Sequence, residues 1–93
     1  MIYMKPLAPY VPPAEAQRTI AAVAREIQQK WGKVNYAAKP YLDAMYYLRT
    51  KDDNYGADSA LSVVSYFLSN ASAFRGPDAK RLKAELKAIC NIK

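Results

Sequence analysis

Apolar residues recur three and four positions apart in four stretches of this chain, and the polar and proline-containing segments between them mark where each stretch must stop. The longest runs from Ser59 to Phe74 without one charged residue, between Asp58 and the sequence Arg75-Gly76-Pro77. At 100° per residue, Ala60, Leu61, Val63, Val64, Phe67, Leu68, Ala71 and Phe74 cover an arc of roughly 160°, wider than the stripe of an ordinary surface helix. This stretch therefore reads as the central core helix, opened by Asp58 as N-cap and closed before Gly76. Its back is small and uncharged, because Ser62, Ser65, Ser69 and Ser72 occupy it. A close neighbour, in the same chain or another, could approach that face.

The other elements follow from the same periodicity. Pro6, Pro9, Pro12 and Pro13 forbid helix at the start and predict an extended arm over residues 1–13. A first helix begins near Pro13, buries Ala16, Ile20, Val23, Ala24, Ile27 and Trp31, and stops at Gly32. Arg18, Arg25 and Gln29 take its opposite face. After a connection or single turn over 33–39, Pro40 opens a second helix with Tyr41, Ala44, Met45 and Leu48 at helical spacing to Arg49. A loop over 50–57 follows. The fourth helix takes Pro77 and Asp78 in its first turn and runs to about Cys90, burying Ala79, Leu82, Leu86, Ile89 and Cys90. The fold expected is all-α: a compact four-helix domain over 14–93 with a proline-rich N-terminal arm.

Composition fits a globular chain, with 52% hydrophobic and 24% charged residues among 93. The net charge of +6 is uneven. Residues 1–34 hold five cations against two acids, residues 35–58 three against four, and residues 59–93 six against two. Basic ends around an acidic middle favour polyanions or acidic protein surfaces as partners. The single cysteine, Cys90, excludes an intramolecular disulfide, and its apolar neighbours predict a buried thiol in a reducing compartment. The first residues lack the apolar run of a signal peptide, and the uncharged stretch falls short of the roughly 20 residues of a membrane span. A cytoplasmic protein, as monomer or homodimer, is the expectation.

Catalytic chemistry finds little support. The chain has no histidine, which removes the usual neutral-pH base, the serine–histidine and cysteine–histidine pairings and most zinc sites. Glu26, Asp43 and Glu85 fall on three helices at solvent-facing positions, with nothing in their spacing to join two for acid–base work. The acidic run Asp52 to Asp58 fails as a calcium loop, because Ala57 stands where the turn glycine belongs and Val63 where the bidentate glutamate belongs. No enzyme, cofactor or metal site is expected.

Binding features are stronger. Lys80, Lys83 and Lys87 lie on one face of the fourth helix with Arg81 beside them, and Arg75-Gly76-Pro77 makes the last two helices a candidate helix-turn-helix pair. With Arg18 and Arg25 of the first helix, these cations form the nucleic-acid alternative. The fourth helix lacks an Asn or Gln before Asn91 to read adenine, so such binding would rest on phosphates and Arg81. Eight tyrosines are the compositional outlier. Tyr66 falls on the serine side of the third helix, Tyr46 opposite the apolar face of the second, and Tyr36, Tyr41 and Tyr47 border the core. Tyr10 on the arm and Tyr55 in the loop complete a candidate protein-docking set with Ser62, Ser65, Tyr66, Ser69 and Ser72, since tyrosine offers rigid contact area with a polar tip.

The strings Trp31-Gly32-Lys33-Val34-Asn35-Tyr36-Ala37-Ala38 and Tyr66-Phe67-Leu68-Ser69-Asn70-Ala71, followed by Arg75-Gly76 and Ala79-Lys80-Arg81, resemble small uncharacterised helical proteins of phages and mobile elements. The resemblance implies a protein that acts by binding: inhibiting a host enzyme or complex, or handling nucleic acid. The expectation is a non-enzymatic inhibitor or modulator that occupies a surface of a host protein or nucleoprotein complex. Direct nucleic-acid binding through the fourth helix is the alternative.

Overall fold

The structure, a computed structural model, describes residues 18–92. The arm, the start expected for the first helix, and Tyr10, Glu15 and Ala16 lie outside the described residues. Four helices and one two-stranded hairpin are present among those described: α1 (Ile20–Lys30), α2 (Lys39–Met45), β1 (Asn54–Tyr55), β2 (Asp58–Ser59), α3 (Ala60–Ser69) and α4 (Pro77–Ile89). The fold is thus mostly helical rather than all-α. Helix α4 packs on α1, α3 on α2, and α1 touches α2.

Helix α1 starts at Ile20, not as a helix continuous from Pro13, because Thr19 is extended and its Oγ1 accepts from the Ala22 amide at 3.0 Å. The next free amides are claimed from outside the helix. Ile20 N–H donates to the Arg49 carbonyl at 3.0 Å and Ala21 N–H to the Leu48 carbonyl at 2.9 Å. Those bonds also explain why α2 ends at Met45 rather than Arg49: the chain beyond it tightens through i to i−3 bonds at Tyr46, Tyr47 and Leu48 and then serves the start of α1.

The loop expected over 50–57 contains strand β1 and the turn of the hairpin. Asn54 pairs with Ser59 and Tyr55 with Asp58, and Gly56 turns the chain at φ +61°. Asp58, expected as the N-cap of the third helix, is a strand residue instead. Ser59 caps α3, its hydroxyl accepting from the Ser62 amide at 3.1 Å. Helix α3 also stops earlier than expected, at Ser69. Near its end Ser69 Oγ donates to the Ser65 carbonyl and Asn70 Nδ2 to the Tyr66 carbonyl, while the Asn70 carbonyl accepts from Asn35 Nδ2 at 3.0 Å. The Asn70 carbonyl, which another turn would need, is thus held from outside the helix, while the Ser69 and Asn70 side chains fold back onto the turn already made. The connection to α4 is accordingly Asn70–Gly76, too long for the tight helix-turn-helix joint.

One apolar core fills the space between the helices. Phe67, Ile20, Ile27, Leu42, Met45, Leu48, Leu82 and Leu86 are its largest fully buried members. Trp31 stacks on Phe74 with ring centroids 5.1 Å apart and meets Phe67 edge-on at 6.3 Å. Leu61, expected in this core, is 47% exposed, because the buried side of α3 centres on Ala60, Val63, Val64 and Phe67 and turns Leu61 outward. At its far end α4 closes with Asn91 at φ +58°, the Asn91 amide reaching the Ala88 carbonyl and the Ile92 amide the Lys87 carbonyl. That is the Schellman arrangement, and it brings Ile92 onto the core beside buried Cys90.

Phe67 is the largest fully buried side chain and touches the Trp31 ring, so Phe67→Ala is expected to cost about 3–5 kcal/mol of stability. Chemical denaturation reads this directly; a midpoint equal to that of the unmodified protein would refute the assignment.

Candidate functional site

Two surfaces carry the residues singled out by sequence. The first is the outward side of α3. Leu61, Ser65, Ser69 and Ser62 fall within roughly 100° of one another around the helix axis, with Tyr66 at the edge. Ser69 is exposed, Ser62 and Ser65 are half-buried, and Tyr66 is 55% exposed; Ser72, expected on this face, is exposed but lies in the connection beyond the end of α3. The face bears no charge, since α3 contains none. Tyr66 stacks on Tyr41 of α2 at 5.5 Å, and on the hairpin side Tyr55 leans against Tyr47 at 5.8 Å. Tyr55 is 44% exposed. Paired rings lose little further freedom when covered, which suits them to contact.

Three tyrosines are placed differently from expectation. Tyr36 and Tyr47, expected at the core border, are 91% and 74% exposed, because Tyr36 lies in the turn before α2 and Tyr47 beyond its last turn. Tyr46, expected opposite the apolar face, packs partly against the core with its hydroxyl 3.3 Å from Gln28 Oε1. The shortening of α2 rotates both Tyr46 and Tyr47 away from their helical positions. Tyr41 does border the core.

The second surface is basic, and the structure divides it. Arg18 Nε donates to Glu85 at 2.7 Å and its Nη1 contacts Glu26 at 2.9 Å, while Arg81 bonds Glu26 and, at 3.3 Å, Asp78. Lys30 approaches Asp78 at 3.8 Å. Glu26 and Glu85, expected apart, thus share Arg18 across the α1–α4 seam; sequence spacing could not show this, because 67 residues separate Arg18 from Glu85. The two guanidiniums hold the Glu26 carboxyl down at about 2, Arg81 contributing most, and the two carboxylates push Arg18 above its ordinary range.

Lys83, expected on the solvent stripe with Lys80 and Lys87, is half-buried. Its ammonium donates to the Phe74 carbonyl at 2.7 Å and the Ala71 carbonyl at 2.8 Å, and it lies 5.8 Å from the Phe74 ring centre. Desolvation, with Arg75 and Lys87 nearby, lowers its pKa. Of the six cations in the nucleic-acid alternative, Arg18 and Arg81 are spent on carboxylates and Lys83 on carbonyls. Lys80, Lys87 and Arg25 remain exposed without an ion pair among the described residues. The residue that sequence reasoning missed is Arg75, whose Nε donates to the Ser72 carbonyl at 3.2 Å and leaves its outer nitrogens at the surface beside Lys80.

No protein-family model, curated protein or solved structure matches the chain. Among the described residues no helix is long and apolar enough to cross a membrane.

Replacing Lys83 by Met removes the donor held by the Phe74 carbonyl, so Lys83→Met should lower stability by about 1–3 kcal/mol. Lys80→Met, at an exposed position without such bonds, should leave the thermal midpoint nearly unchanged. Equal midpoints for the two variants would show that the lysine is not a structural donor. For Glu26, the folded pKa of about 2 lies below the ordinary 4.5, so its ion pairs stabilise the fold above that ordinary value and lose this effect as pH falls toward 2. The melting difference between the unmodified protein and Glu26→Gln should therefore be full at neutral pH and shrink in acid. A difference that stays constant down to the acid limit contradicts the assignment.

Proposed function

We propose that the protein acts without catalysis, by covering a surface of a protein partner with the uncharged outward side of α3. The observation that carries this reading is that face itself. On a chain of net charge +6, Leu61, Ser62, Ser65, Tyr66 and Ser69 form a charge-free surface flanked by the Tyr41 and Tyr55 rings. Charge depletion with exposed tyrosine is the compositional mark of an interface centre, and small serines let a partner backbone come close. The resemblance to small helical phage and mobile-element proteins supports a host protein or nucleoprotein complex as the partner, with inhibition or modulation as the outcome.

The absence of histidine supports a non-catalytic role, as does the engagement of the carboxylates. Glu26, Asp43, Asp52, Asp53, Asp78 and Glu85 are each held by a cation. The nucleic-acid alternative draws less support, because Arg18, Arg81 and Lys83 are already engaged.

The decisive pair is Ser65→Glu with Ser69→Glu. Both side chains reach solvent, so the double variant should melt close to the unmodified protein, while a partner captured by the unmodified protein from its native host should be lost. Capture should also survive nuclease treatment. Retained capture by the variant, or capture abolished by nuclease, would overturn the reading.

A further inference from the structure

Resting on that reading of a protein partner, we infer that the elbow between α3 and α4 is a second contact point that takes a short acidic segment carrying one aromatic or aliphatic anchor. The elbow is an open groove of about 650 Å³. Phe74, Pro77 and Ala79 give it an apolar lining, and Arg75, Lys80 and Lys83 its charge.

The argument is charge complementarity. Among the described residues Arg18, Lys30, Lys39, Arg49, Lys51 and Arg81 make ion pairs. Arg25, Lys33, Arg75, Lys80, Lys83 and Lys87 make none, and the last four of these cluster between residues 75 and 87. No carboxylate lines the groove. Asp78, the nearest acid in sequence, is engaged by Arg81 and Lys30 instead. Burial does most to disfavour the charged form of Lys83, and the nearby positive charges of Arg75 and Lys87 add to it. A carboxylate entering the groove would relieve that crowding, and an apolar side chain beside it would cover exposed Pro77 and the small part of Phe74 that reaches the groove.

The size of the basic patch decides between a peptide and a nucleic acid. A phosphate backbone needs a track of cations, whereas on the other side of α4 Arg18, Lys30 and Arg81 are already paired with Glu26, Asp78 and Glu85 and offer no excess charge to a polyanion that continued along the helix. A short peptide meets only the groove. The groove opens in the connection that follows α3, where the Ser72 carbonyl holds Arg75, so one partner could span both the groove and the α3 face.

The chain carries its own reporter. Trp31, its single tryptophan, stacks on Phe74 with the rings 13° from parallel, so a group settling against Phe74 should alter tryptophan emission. The probe is a blocked pentapeptide with two acidic residues on each side of a phenylalanine, titrated into the full chain, with amide chemical shifts recorded in parallel. Saturable binding is expected, with shifts centred on Gly76, Ala79 and Lys83, weakened by added salt. Double reversal, Arg75→Glu with Lys80→Glu, should weaken binding at least about tenfold, whereas Arg25→Glu on α1 should not. The same peptide with lysine for each acid should fail to bind. The inference is overturned by the absence of a saturable response up to millimolar peptide, by undiminished affinity in the double reversal, or by an oligothymidine that binds the same amides more tightly. Because no partner enters this titration, its failure leaves the α3 reading standing. Conversely, loss of the α3 reading in the capture experiment leaves a positive titration intact as a peptide site.

Discussion

The connection between α3 and α4 depends on one ammonium group. Phe74 lies outside any helix, yet its ring must sit under Trp31 for the core to close on that side. Its carbonyl is left without a helical donor, and Lys83 supplies one from the facing helix while also reaching Ala71. A neutral side chain of the same length would pack but would strand the carbonyl, and a shorter one would not reach. The lysine is therefore a structural strut that spends its charge inside the fold. Its neighbours Arg75 and Lys80 keep theirs at the surface, which makes the elbow both rigid and electropositive.

The opposite seam follows the same economy of charge with the opposite result. Arg18 and Arg81 reach Glu26 from two directions, and Glu85 and Asp78 complete a ladder that zips α1 to α4. Each pair is partly exposed and contributes modestly by itself, but linked pairs fix one register between the helices. The consequence is a molecule with two electrostatic sides. One is neutralised internally, and the other is left with cations in excess; the face of α3 belongs to neither, since it has no charge at all.

Much of this architecture was legible from residue spacing. Helix α4 appears where Pro77, Asp78 and the Leu82–Leu86 periodicity put it, and the buried faces of α1 and α4 are the ones the apolar positions mark. What spacing could not show were the endings. Asp58 and Ser59 are both good caps, and the hairpin decides between them by carrying β2 one residue past Asp58, so that the helix starts after Ser59. The end of α3 is set by Asn35, a residue half a chain away, and the start of α1 by carbonyls at 48 and 49. Leu61 was misplaced because it stands at the rim of the apolar arc, roughly 100° around the axis from the centre of the side that α3 buries. On the candidate sites, the serine face was readable because its small residues repeat at helical intervals. The division of the basic residues was not, because ion pairing across the α1–α4 seam is a property of tertiary contact.

The left-handed turn at Asn91 has a chemical consequence for its neighbour. It turns Ile92 back against the core cluster that also contains Cys90, whose thiol burial holds above its ordinary pKa. Oxidants attack the thiolate, so the sulfur is protected twice, by poor access and by scarcity of the reactive form. Its lifetime as a reduced thiol is then governed by how often the final helical turn frays, a local opening that need not involve the rest of the core. The burial of the last turn of α4 thus sets how readily this thiol meets an oxidant.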